Sequence, residues 1–130
     1  MGIYYSFIYS TGWIMLNFMR GDIPVEKNNK SIRSIIEEWV ELNESSVLFA
    51  DGFDEAIIGV SLDNPKEGPR IIYSQPKCIS ILKDDGMTHE EAEEFFSFNV
   101  VGAWVGKSTP LFILTEKTLN LHLATPHLLT

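Results

Sequence analysis

Apolar positions along this chain change from a helical to an extended period and back, and those changes mark out its elements. From Ser31 to Asn43, Ile32, Ile35, Ile36, Trp39 and Leu42 recur at three- and four-residue steps, with Arg33, Glu37, Glu38 and Glu41 on the other side, the pattern of an amphipathic helix over 31–42. A second helix is expected over 88–103. Thr88 followed by Glu91 makes a capping box, Glu90, Glu91, Glu93 and Glu94 sit where the helix dipole favours anions, and Ala92, Phe95, Phe96, Asn99 and Ala103 share one side. On that reading Phe95 is a core residue. Between the helices, short runs of branched and aromatic residues at 47–50, 56–60 and 70–73 are separated by the Asp51-Gly52 and Asn64-to-Pro69 turn signals and read as successive strands. Ser74 then caps a short helix with Pro76 in its first turn, which carries Cys78, Ile79 and Leu82 inward and stops at Asp84-Asp85-Gly86. A last strand follows Pro110 at 111–114. The expected fold is α+β: an antiparallel sheet, a meander, with two main helices packed on one face.

The two ends are less sharply patterned. Residues 1–20 are the most hydrophobic stretch, but Ser6, Ser10, Thr11, Gly12 and Asn17 interrupt it and no basic residue precedes it, which fits neither a signal peptide nor a membrane span of ~20 apolar residues. Two strands joined at Ser10-Thr11-Gly12 fit better, with a buried helix as the competing reading. The chain is therefore taken as one domain over 1–130, with 1–30 as an N-terminal hairpin extension. Residues 118–130 form a flexible tail, read either as an edge strand or as a frayed end.

Charge narrows the classes of partner. With 10 Lys and Arg against 18 Asp and Glu, the net charge is −8, which opposes binding to a nucleic-acid backbone and favours a basic partner. Cys78 is the only cysteine, so neither an intramolecular disulfide nor a multi-cysteine zinc site can form within one chain, and a reducing cytoplasm is the natural compartment. No membrane association and no cofactor are expected.

Three constellations bear on chemistry. Gly102-Ala103-Trp104-Val105-Gly106-Lys107-Ser108-Thr109 approaches the phosphate-binding P-loop, but it is one residue short, follows a helix and meets Pro110, whereas a P-loop follows a strand and opens a helix. Asp51, Asp54 and Glu55, with Asp84 and Asp85, supply carboxylates enough for a metal-dependent hydrolase or nucleotide-processing enzyme, without an EF-hand spacing. No metal ligand set and no catalytic residue are assigned. Asn99, a polar amide on an apolar helix side, is expected to tie down a neighbouring loop. If the strands at 47–50 and 111–114 are neighbours, the turns that adjoin them share one rim. Asp51, Asp54, Trp104, Lys107 and Thr109 then line a binding surface with Asn99 beneath it.

Two blocks, D-G-F-D-E-A-I-I-G at 51–59 and F-F-S-F-N-V-V-G-A-W-V-G-x-x-T-P at 95–110, resemble a group of small bacteriophage-encoded proteins. The resemblance covers less than half of the chain and leaves out residues 1–45. It implies a phage origin and a host-cytoplasm setting, and it carries over no reaction. Size, acidity and this resemblance lead to an expected accessory protein that acts by binding: it inhibits or sequesters a host defence protein or a small nucleotide signal, with self-association as a further expectation.

Overall fold

The computed structural model describes residues 5–9 and 29–124. The first helix, α1 (Ile32–Leu42), begins where the Ser31 hydroxyl accepts from the Ser34 N–H, and it turns Ile36 and Val40 fully inward. Strand β2 (Ser46–Ala50) buries four consecutive residues, Val47 to Ala50. A strand covered on both faces loses the in-out alternation. It pairs antiparallel with β1 (Tyr5–Tyr9), Tyr5 opposite Ala50. The rest of the proposed N-terminal hairpin lies outside the described residues.

A separate three-stranded sheet has the order β3 (Ile57–Ser61), β4 (Arg70–Ser74), β5 (Leu111–Ile113). Strands β3 and β4 are antiparallel, as expected, but β4 and β5 are parallel. The fold is α+β, and its sheet is mixed rather than an antiparallel meander. The reason lies in the connection. Between Ser74 and Leu111 the chain forms α2 (Gln75–Asp84) and α3 (His89–Phe96), a crossover that returns it to the end of β4 from which β4 started, and only a parallel strand can then be added. Strand β2 is not part of this sheet, because a single 3₁₀ turn at Asp54–Ala56 redirects the chain between β2 and β3. A buried hydrogen bond spans the two sheets: the Ala50 N–H donates to the Tyr73 hydroxyl at 2.7 Å.

Helix α3 starts as its capping box requires, with the Thr88 hydroxyl accepting from the Glu91 N–H and the Glu91 carboxylate accepting from the Thr88 N–H. It does not run regularly to 103. After Phe96 the backbone widens into a π turn over Ser97–Val101, closed by the Gly102 N–H donating to the Ser97 carbonyl at 3.3 Å. A Cβ at Gly102 would lie 3.3 Å from that same carbonyl oxygen, so a side chain there would crowd the closure. The inward positions become Ala92, Phe96 and Val100. Phe95 is only half-buried, and Phe96 is the core residue, edge-on to Phe112 with ring centres 5.1 Å apart. Phe112 also stacks on Tyr73 at 5.4 Å, joining α3, β5 and β4 in one aromatic cluster. The segment from 118, read as an edge strand or frayed end, belongs to α4 (Glu116–Ala124). Residues 125–130 are outside the described residues. Among the described residues no helix is long and apolar enough to cross a membrane.

Cys78 and Tyr73 are both fully buried. Burial pushes the Cys78 thiol up to about 12 from the usual 9.0. Burial also raises the Tyr73 phenol, against the opposing effect of the Ala50 N–H bond. Each group is neutral when protonated and has a raised folded-state pKa, so the folded state holds its proton after the unfolded chain has lost it. The contribution of these two groups to stability is therefore complete below about pH 9 and declines as pH rises, at about 1.4 kcal/mol per pH unit for each titrating group. Urea melts between pH 8 and 11 should show this decline, with its onset moved from about pH 9 towards pH 10 in Cys78→Ala.

Candidate functional site

The two turns expected to share a rim leave β4 in opposite directions. Ile57 pairs with Tyr73 in antiparallel register, so the residues before it extend past the C-terminal end of β4. Leu111 pairs with Ile72 in parallel register, so the residues before it extend towards the N-terminal end. There the Arg70 side chain donates through Nε to the Thr109 carbonyl at 2.5 Å. Asp51 and Asp54 are brought together, while Thr109, on the segment that runs into β5, lies towards the other end of β4.

Asp51 and Asp54 converge on Arg33 of α1. One guanidinium nitrogen, Nη1, lies 3.3 Å from Asp51 and 3.2 Å from Asp54, while Nε lies 3.2 Å from Glu37. The guanidinium carbon sits 4.4 Å from the centre of the Phe49 ring, a cation–π contact. Burial works against the Arg33 charge, but Glu37, Asp51 and Asp54 together outweigh it and raise its pKa. This arrangement pins α1 to the turn after β2. It also changes the chemistry available to the turn, since an arginine already supplies the counter-charge that a hydrolase would take from a metal ion. Among the described residues no three His, Cys, Asp or Glu side chains are placed to hold a metal ion. Beside this turn, Asp54 and Glu55 share an open cavity of about 380 Å³ with Asp84 and Asp85 from the end of α2. Carboxylates from two separate turns thus meet at one surface.

The exit of α3 is the other candidate. Thr109 is buried and works as a latch: its hydroxyl accepts from the Val105 N–H at 3.0 Å and donates to the Gly106 carbonyl at 2.6 Å. Gly106 takes φ +102° in this loop, a conformation that glycine adopts without steric cost. The loop is thus closed by its own contacts rather than open towards a phosphate, in keeping with its departure from the P-loop pattern. Asn99 does not hold it from beneath. Its amide donates to the Phe95 carbonyl within its own turn at 3.2 Å and, half-buried, it lines a shallow groove of about 420 Å³ with Met87, Glu91, Glu94, Phe95 and Phe98. Lys107 is exposed.

What the π turn and the latched loop do present is apolar surface. Phe98 is 76% exposed, Trp104 74% and Val101 54%. Phe49, Phe53, Tyr73 and Phe96 are all buried, so the exposure of two large aromatics here is a local property. Arg33, Phe98 and Val101 were not among the candidates drawn from the sequence. Phe98 falls off the apolar side shared by Ala92, Phe95 and Phe96, and an aromatic off the inner face of a helix is the signal that marks it.

Fold and site together define a small, acidic α+β domain with exposed aromatic side chains and a carboxylate-lined cavity. Comparison with protein families, curated proteins and solved structures finds no match to this chain.

Proposed function

We propose that this chain is a binding protein, an accessory protein of phage origin that acts in the host cytoplasm by covering a basic surface of a host defence protein. The observation that carries the reading is the exposure of Phe98, Val101 and Trp104 on a segment held by its own buried contacts. Val100 is buried beneath the π turn and the Thr109 hydroxyl closes the loop. Protein interfaces take most of their affinity from a few large side chains, aromatic ones above all, that enter pockets on the partner. Glu91 and Glu94 line the groove beside Phe98, and the chain carries a net charge of −8, so encounter with a basic surface is electrostatically steered. A nucleotide signal fits less well as the ligand, because the cavity beside the Asp51 turn is lined by Asp54, Glu55, Asp84 and Asp85 and repels phosphate.

The experiment is a pull-down from host lysate with the immobilised full chain, compared with Trp104→Ala and with Phe98→Ser. The parent is expected to retain a host protein at one-to-one stoichiometry. Each variant should weaken that complex about tenfold or more while melting within about 2 °C of the parent, since neither side chain is part of the core. Retention of the complex by both variants would sink this assignment. So would a parent that captures nothing and self-associates through Phe98 and Trp104 in light scattering, which would make the face a homo-oligomer contact instead.

A further inference from the structure

The shallow groove beside Phe98 takes its form from the helix beneath it. Met87, Glu91, Phe95 and Asn99 line it at steps of four residues, and Glu94 and Phe98 line it at the same step in the neighbouring row. Rows of side chains four residues apart are the ridges of a helix surface, and the space between two of them is where a second helix sets a ridge of its own. From Glu91 to Asn99 the groove runs for about 12 Å, roughly two helical turns. Its apolar members are Met87 and Phe95, both half-buried against the core, and Phe98, which is exposed. Its ionisable members, Glu91 and Glu94, are both carboxylates, and among the described residues no cation lines it. The π turn is a separate observation at the same place. It interrupts the regular helix over Ser97–Val101, with Val100 inward and Phe98 outside, and such turns occur often at functional sites.

On the reading of Phe98 as an interface residue, on which this rests, we infer that the groove receives an amphipathic helix of the partner that carries apolar residues at i and i+4 with Lys or Arg in the adjoining rows. The apolar row enters between the two ridges, against Met87, Phe95 and Phe98, and the area removed from water drives the contact. The flanking cations meet Glu91 and Glu94, which fixes register and turns away acidic helices. Glu91 already accepts one N–H in its capping box, and a carboxylate has lone pairs for more. An extended strand fits less well, because it docks through backbone hydrogen bonds to a sheet edge, and a helix surface offers none. A second copy of α3 would set the same carboxylates near one another, and a nucleic acid meets the wrong sign of charge.

The test uses the full chain and a fluorescein-labelled, alanine-based helical peptide of about 16 residues, with leucines at i, i+4 and i+8 and arginines in the two adjoining rows, read by anisotropy. A peptide of the same composition, permuted so that no stripe forms, is the control. The striped peptide should bind at least about tenfold more tightly than the permuted one. Phe98→Ser and Glu94→Lys should each weaken it about tenfold, while melting within about 2 °C of the parent because both side chains are exposed. Glu67→Lys makes the same charge change in the turn joining β3 to β4 and should alter affinity by less than about twofold. Equal affinity for the two peptides overturns the inference. Undiminished binding by Phe98→Ser or Glu94→Lys, or an equal loss in Glu67→Lys, overturns it too, since attraction would then come from overall charge and not from this groove. Self-association of the parent that Phe98→Ser abolishes would give the groove to a second copy and likewise overturn it. A host protein retained through Phe98, alongside equal affinity for the two peptides, removes the helix and leaves the interface reading in place. Selective peptide binding with no host protein retained does the reverse.

Discussion

Phe96→Ala is expected to lower the unfolding free energy by ~3–5 kcal/mol, the usual cost of truncating a fully buried phenylalanine. Phe96 has no exposed surface and meets Phe112 edge-on, and Phe112 in turn stacks on Tyr73. The cavity therefore opens where α3, β5 and β4 meet, and the flanking rings cannot close it without giving up their own contacts. A domain of this size has ~5–15 kcal/mol of stability, so the loss is a large fraction of the whole. Phe95→Ala, one residue earlier and half-buried, should cost under about 2 kcal/mol. The pair of values is diagnostic, because an apolar helix side shared by both phenylalanines would set both on the core. Urea denaturation of the two variants distinguishes the cases, and a larger loss at Phe95 than at Phe96 would contradict the packing described.

Tyr73→Phe is expected to cost ~1–3 kcal/mol although it removes one oxygen. That oxygen accepts from the Ala50 N–H at 2.7 Å, and both residues are completely buried. Without it, a backbone donor with no access to water loses its acceptor, and an unpaired buried N–H costs more than the bond itself contributes. The effect should also be local. Strands β2 and β4 belong to different sheets, so this bond is a direct polar tie between them, and amide exchange at Ala50 and its neighbours should accelerate before the rest of the core. A melting point equal to that of the parent, with unaltered exchange at Ala50, would show that the tie contributes nothing.

The elements whose signals are local were legible in the sequence. The Ser31 and Thr88 caps, the Ser74 cap with Pro76 behind it, and the strands of the β3–β4 hairpin all follow from residues within a few positions of one another, and such interactions operate whatever the rest of the chain does. The helix exit was only half legible. Gly102 marks a stop, but whether the backbone approaches it as an α or a π turn depends on which side chain the core accepts after Phe96, and the core accepts Val100 rather than Asn99. Arg33 was assigned to solvent because it falls on the polar side of α1. Three carboxylates and the Phe49 ring draw it into a half-buried hub, and none of those contacts except the one to Glu37 is close in sequence.

The sequence by itself determined an acidic α+β domain, its helix starts, its turns and most of its strands. Only the tertiary structure decided how those strands are shared between two sheets, that β5 enters parallel to β4, and that the Asp51 and Gly102–Pro110 turns point away from each other. The physical reason is that strand pairing is set by hydrogen bonds and burial between segments far apart in the chain, for which alternation and turn residues carry no label. The same holds for the surface. Phe98 and Trp104 read as apolar in any sequence, and it is the competition for a finite core, won here by Phe96, Phe112 and Tyr73, that leaves them facing outward.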